Sequence, residues 1–334
     1  MAPLGRWLLR GALALAFLGA LGVAALLYLE REYEARGPLA SETTVIVPPG
    51  ASLSAIATTL KDAGVIAEPT LFRLAVRIFG APEALRAGEY AFAAGISAKE
   101  VARLLESGRT VVHRLTVPEG LTSAEIVALM AGAEALAGTL EKVPPEGSLL
   151  PETYHFSRGD RRAEIVERMT RAHEAALAEL WPKRAGGLPL ATPEEAVILA
   201  SIVEKETGVA SERPLVASVF VNRLKRGMRL QSDPTVIYAL TGGKGPLARA
   251  LTRGDLATVS PYNSYLVPGL PPGPIGNPGR AALEAVLNPA ESAYLYFVAD
   301  GTGGHAFAET LEEHNRNVAK WRKIRRTGKA ASGN

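Results

Sequence analysis

Cysteine is absent from this 334-residue chain. That excludes disulfides, thiolate metal sites and a cysteine nucleophile together. An excess of charge of one sign is missing too: the net charge is +3, with acidic and basic residues interspersed. A sequence pI near 9.1 is therefore a small surplus of Arg and Lys rather than a nucleic-acid footprint, and no nucleic-acid partner is expected. The basic cluster Lys320, Arg322, Lys323, Arg325, Arg326 and Lys329 reads as a solvated C-terminal tail. Low-complexity, collagen-like and coiled-coil bias are lacking. So are nucleotide, flavin and haem motifs, and no cofactor is expected. Gly242-Gly243-Lys244-Gly245 lacks the spacing and the Ser/Thr of a phosphate loop. His305 and His314 form no recognisable metal-ligand set, and His305 reads as a structural residue of a hairpin. There remains an apolar fraction of 47%, enough for two ordinary domains with real cores plus a leader.

The leader is an uninterrupted apolar run, Gly11 to Leu29, bounded by Arg6 and Arg10 before it and Glu30-Arg31-Glu32 after it. Nineteen helical residues span close to the ~30 Å hydrocarbon core of a bilayer. Secretory apolar regions are shorter, so an uncleaved anchor is favoured, although Ala24-Ala25 supplies a small-residue pair of the kind that cleavage sites use. The flanking arginines place residues 1–10 in the cytoplasm, 11–29 across the membrane and the rest outside it. Residues 30–43 read as a polar linker.

A unit then recurs. Val45–Gly50, Tyr90–Gly95 and Leu115–Gly120 each lead through a glycine into a hydroxyl residue two positions on (Ser52, Ser97, Thr122), followed by apolar residues at helical offsets. Each reads as strand, tight turn, short amphipathic helix. Ser97 with Glu100 and Thr122 with Glu125 spell capping boxes. The third copy equally suits the opening of a link to the next domain. Val143 to Ser148, rich in Pro and Gly, marks a boundary. Beyond it the pattern predicts helices over 162–180, 193–207 and 214–226. A long irregular stretch comes next, then a hairpin of 293–298 with 305–307, and a last helix starting near Thr310. The class is α+β.

Chemistry points to the end of the second of those helices. At 100° per residue, Leu199, Ile202 and Val203 share a face with Glu206, whereas Glu204 points the other way among Ala200 and Ser201. A carboxyl on an apolar stripe must be paired, protonated or open to a cleft. Desolvation raises its pKa, as a general acid near neutral pH requires. The competing reading is an ion pair with a basic residue at the helix end.

The run from Ala200 to Tyr238 resembles the signature of the endolytic murein transglycosylases, the MltG or YceG-like family. It includes Glu204-Lys205-Glu206-Thr207, Val221-Asn222-Arg223-Leu224 and Gln231-Ser232-Asp233-Pro234-Thr235. Pro151–Tyr154, Tyr262–Tyr265, Gly269–Ile275 and Tyr294–His305 fit the same pattern in the same order, and the likeness covers nearly the whole chain. Departures are Glu152 where Asp is more usual and Ser148 where an aromatic is common, both expected to affect the rim of a substrate cleft and not the acid/base.

The resemblance implies an N-terminal transmembrane helix, a LysM-like glycan-binding region over 44–142, a mixed α+β catalytic domain over 149–326 and a tail over 327–334. It implies cleavage of peptidoglycan glycan strands by Glu206 as single acid/base, and cooperation with penicillin-binding synthases at the cell membrane. Asn222, Gln231, Asp233, Tyr262 and Asn263 are the candidate sugar-binding residues, each equally able to serve loop structure; Asp233-Pro234 suits a turn start. Glu204 is a possible supporting carboxylate. The stretch Pro268–Gly279 is expected to wrap the cleft as a stiff loop. A hydrolytic muramidase using Glu204 or Asp233 as partner, and a non-catalytic glycan-binding scaffold, are the alternatives.

Overall fold

A computed structural model describes residues 3–331, with side chains described over 7–326. The first helix, α1 (Pro3–Glu34), takes in most of the expected cytoplasmic tail, the apolar run and the first turn of the expected linker. It is long and apolar enough to cross a membrane. The linker expectation fails at its start for a packing reason. Leu29 and Tyr33, one helical turn apart, are buried in the core of the first compact unit, so the helix is held there rather than fraying.

The chain divides into two compact units, residues 1–113 with 157–159, and the remainder. In the first, β1 (Thr43–Val47) pairs antiparallel with β2 (Gly88–Phe92), from Thr43 opposite Phe92 to Val47 opposite Gly88. Between them run α2 (Leu53–Asp62) and α3 (Pro69–Phe79), and α4 (Ala98–Ser107) comes after β2. Val45 and Val47 point inward with period two. Ile56, Leu60, Phe72, Val76, Val101 and Leu105 complete the core around Tyr90 and Phe92. The recurring strand–turn–helix unit forms in all three copies, with Ser52, Ser97 and Thr122 as N-caps. The expected pattern omits α3, whose start is signalled by Pro69 in the first turn.

In the third copy β3 (Val112–Thr116) pairs with β4 (Thr153–Ser157) instead of with another copy's strand. Its helix α5 (Ser123–Ala131) carries the Thr122–Glu125 capping box. Leu115, Ile126, Met130, Leu149, Tyr154, Ile165 and Met169 form one core. The Pro/Gly-rich stretch 143–148 accordingly lies within the second unit.

Helix α6 (Arg162–Leu180) leads to the central helix α7 (Pro193–Glu206), which packs against α8 (Arg213–Lys225) and α10 (Arg280–Leu287). An additional helix, α9 (Asp233–Thr241), begins where a turn is expected: Asp-Pro also starts helices, with Asp in the first turn and Pro supplying the fixed φ. The hairpin is β5 (Tyr296–Ala299) with β6 (His305–Ala308), and α11 (Leu311–Ala331) packs on both. The expected tail 327–334 is helical in backbone to Ala331, and 332–334 lie outside the described residues, as do 1 and 2.

The stretch 268–279 takes another course from the one expected. Ile275 sits in the core and its N–H donates to Ser201 Oγ at 3.0 Å. Ser201 lies about 140° around α7 from Glu206, so the stretch backs α7 on its far side.

Candidate active site

Thr192 caps α7 by accepting from the Glu195 N–H, and Pro193 starts it. The stretch before its last turn is buried all round: Leu199, Ala200, Ser201, Ile202 and Val203. Two carboxylates at the end of such a helix must each find an accommodation, and they find different ones. Glu204, its side chain 4% exposed, accepts from Arg213 Nη2 at 3.2 Å and from the Gly279 N–H at 2.9 Å. Burial still pushes its pKa upward. The ion pair expected at the helix end thus belongs to Glu204 and removes that residue from the chemistry around Glu206.

Glu206 forms no salt bridge among the described residues. Its Oε1 accepts a hydrogen bond of 2.5 Å from Ser232 Oγ, and the side chain borders a groove of about 450 Å3. Burial pushes its pKa up to about 7; the negative charge of Asp233 adds to this, while the Ser232 hydrogen bond and the charges of His305 and Arg223 oppose it. The other walls come from α8 (Phe220, Arg223), the turn after it (Leu230, Gln231), the first residue of α9 (Asp233), Tyr265, the hairpin strand (Tyr296, Phe297, Val298) and α11 (Leu311, His314). The Tyr265 hydroxyl donates to Asp233 Oδ1 at 2.7 Å. Tyr296 stacks on His314, with ring centroids 5.2 Å apart. Burial, together with the charge of Arg223, lowers the His314 pKa.

Of the sequence candidates, Glu206, Gln231 and Asp233 come together around this groove, and Asn222, Tyr262 and Asn263 do not line it. Asn222 donates through Nδ2 to the carbonyls of Ser292 and Tyr294. Asn263, fully buried, donates to the carbonyls of Leu256 and Thr258. Tyr262 packs its ring against Tyr238, 4.9 Å between centroids. Neither Ser148 nor Glu152 lines the groove.

Sequence reasoning did not single out Ser232, Arg223, Tyr265 or Tyr296. Arg223 is buried, and its guanidinium donates to the carbonyls of Leu295 (2.7 Å), Leu230 (2.8 Å) and Arg229 (3.2 Å) and to Gln231 Oε1 (3.3 Å). It braces the turn that carries Gln231 and Ser232. An arginine following the apolar run Val219-Phe220-Val221 by two positions and directly preceding Leu224 is the signal that could have marked it.

Gln231 alone among the described non-glycine residues has a positive φ, +53°. Its N–H donates to the Ser264 carbonyl, and the Ser232 N–H to Ser264 Oγ, so the left-handed conformation is held from both sides. Gln231→Gly is expected to keep or raise stability, by up to about 1 kcal/mol, while slowing any reaction that uses this wall of the groove. Urea unfolding beside an activity assay checks the pair of outcomes.

No cluster of three or more His, Asp or Glu side chains suited to a metal occurs among the described residues. Glu206, its pKa pushed up by burial, thus faces a groove of polar and aromatic side chains that it shares with Asp233. The sequence profile of the YceG-like family matches residues 45–320, and the chain belongs to that family. It is 33% identical over 314 residues to an endolytic murein transglycosylase of Bacillus subtilis (strain 168), covering 84% of this chain and 86% of that protein. It is 31% identical over 326 residues to an endolytic murein transglycosylase of Streptococcus pneumoniae serotype 2 (strain D39), covering 83% of this chain but 58% of that longer protein. The crystal structure of a YceG-like protein from Listeria monocytogenes superposes with a TM-score of 0.53 at 33% identity, over 83% of this chain and 98% of the other.

Proposed function

We propose that this protein is a membrane-anchored lytic transglycosylase that cuts peptidoglycan glycan strands internally, with Glu206 as its only acid/base. The observation that carries the reading is Glu206 itself, open to the groove, tied to Ser232 and pushed up to about 7. At neutral pH such a carboxyl is protonated in a large share of molecules. With Oε1 accepting from Ser232, the proton sits on Oε2 and is donated to the glycosidic oxygen between N-acetylmuramic acid and N-acetylglucosamine. The C1–O bond breaks with oxocarbenium character at C1. The carboxylate then takes the proton of the same sugar's C6 hydroxyl as that oxygen bonds to C1. Proton count closes: one given, one regained, no water consumed, a 1,6-anhydro ring formed. An intramolecular nucleophile has a high effective concentration, so neither a second carboxylate nor a positioned water is needed.

Around this chemistry the same reading puts the N-terminus in the cytoplasm and α1 across the inner membrane. The 44–142 region is a LysM-like contact for the glycan. The nascent strand, supplied by penicillin-binding synthases, is the substrate whose elongation the cut ends. Gln231, Asp233 and Tyr296 are the groove residues closest in kind to sugar binders, two with polar side chains and one with a ring face.

One observation favours a second reading. Asp233 borders the same groove and could activate a water, making the enzyme a hydrolase. Mass spectrometry of glycan digested by the purified protein separates the two. Anhydro-muramyl ends are expected; reducing muramyl ends alone would reject the transglycosylase and support the hydrolase.

A further inference from the structure

α1 does not end where its exposed apolar surface ends. Tyr28 is 57% exposed and Leu29, the next residue, 4%. From Trp7 to Tyr28, both strongly exposed aromatics, the helix rises ~32 Å, the thickness of a hydrocarbon core with an aromatic at each edge. The first unit therefore begins at the membrane boundary itself, on the same unbroken helix.

The elements packed there are α3 and α4, and of the two α3 carries the apolar excess. Leu71, Phe72 and Ala75 share with Leu29 the wall of an apolar cavity of about 220 Å3. The Phe79 ring stacks on Tyr33, centroids 6.1 Å apart. Tyr33 lies four residues beyond Leu29, about 6 Å further along the axis, within a headgroup layer roughly 5–8 Å deep. α3 buries Phe72, Ala75 and Val76 in the core and still has apolar residues to spare: Leu74 and Ile78 are exposed on the other face, beside the cation of Arg77. A helix with one apolar face turned into the protein and a second turned out, at headgroup height, matches an interfacial helix.

We propose that α3 lies in the outer interfacial layer of the bilayer, with Leu74 and Ile78 among the lipids and Arg77 at the phosphates. This fixes the height and tilt of the first unit above the membrane. It rests on α1 crossing the membrane, as proposed above.

The absence of native cysteine makes the test direct. Full-length protein in nanodiscs of phosphatidylethanolamine and phosphatidylglycerol is labelled with a nitroxide at Leu74→Cys, Ile78→Cys, Leu18→Cys in mid-span, or Thr58→Cys on exposed α2. Relaxation by oxygen is compared with relaxation by a water-soluble nickel chelate. Labels at 74 and 78 are expected to favour oxygen, as at 18, while 58 favours the chelate. If 18 favours oxygen and 74 and 78 behave like 58, the anchor stands and the interfacial helix is overturned. If 18 also favours the chelate, the anchor itself fails, and the proposal with it.

Discussion

Glu206→Gln is expected to reduce glycan cleavage by about 10³-fold or more, because in the proposed mechanism it is the group that gives and regains the proton. The amide carbonyl can still accept from Ser232, so the groove should persist and substrate should still bind. A second readout separates loss of chemistry from loss of structure. The folded pKa of Glu206 is raised, so the folded state binds the proton more tightly than the unfolded chain does. The group therefore imposes no penalty below its unfolded pKa of 4.5. It imposes a growing one between 4.5 and about 7, and the full one above that. The Gln variant escapes this penalty. It should match the wild type near pH 4 and exceed it at pH 8, by about 3 kcal/mol. Thermal melts at the two pH values check this. An unchanged difference would mean that Glu206 is not held in dry surroundings, and retained cleavage would remove it from the mechanism.

Arg223→Ala should have the largest effect on the fold. The side chain satisfies three backbone carbonyls and the Gln231 amide from a buried position. Truncation strands acceptors that each cost about 1–3 kcal/mol when unpaired. Their effects are not additive, and a total of about 3–5 kcal/mol is expected, lowering Tm by roughly 10 °C. The turn bearing Gln231 and Ser232 also loses its brace, so cleavage should fall by about 10²-fold even at temperatures where the variant is folded. Arg223→Lys keeps a charge but not the planar fork and should rescue neither property fully. A variant as stable and as active as the wild type would show that the turn is held by Ser264 alone.

Particular residues show what was legible. The helical wheel and the Glu-Lys-Glu-Thr motif both single out Glu206, because position on a helix is a local property. Helix α6 runs over the residues its periodicity marks. The capping boxes at Ser97 and Thr122 form because their partners lie three residues away. Contacts over long separations were not legible. Ser232 meets Glu206 across 26 residues and Arg223 meets Leu295 across 72, and nothing in either local pattern names the other. Asn222 and Asn263 have the chemistry of sugar binders, but the fold brings backbone carbonyls to them. The pattern of 115–120 is that of the two earlier units. Its strand's partner is fixed by β4, which no repeat announces.

Asn277 carries a practical consequence. Fully buried, its amide donates to the Leu121 carbonyl, Ser123 Oγ and Glu146 Oε1, and its Oδ1 accepts from the Leu149 N–H. One side chain thus staples together segments more than 120 residues apart. A soluble fragment cut to start at 149, the boundary that the proline-rich stretch suggests, would discard three of those four partners. It should express poorly or aggregate, whereas a fragment started at 112 retains the full set together with the whole of β3 and should yield a usable enzyme. For this chain the scissors belong before the strand Val112–Thr116, thirty-odd residues upstream of the proline-rich hint.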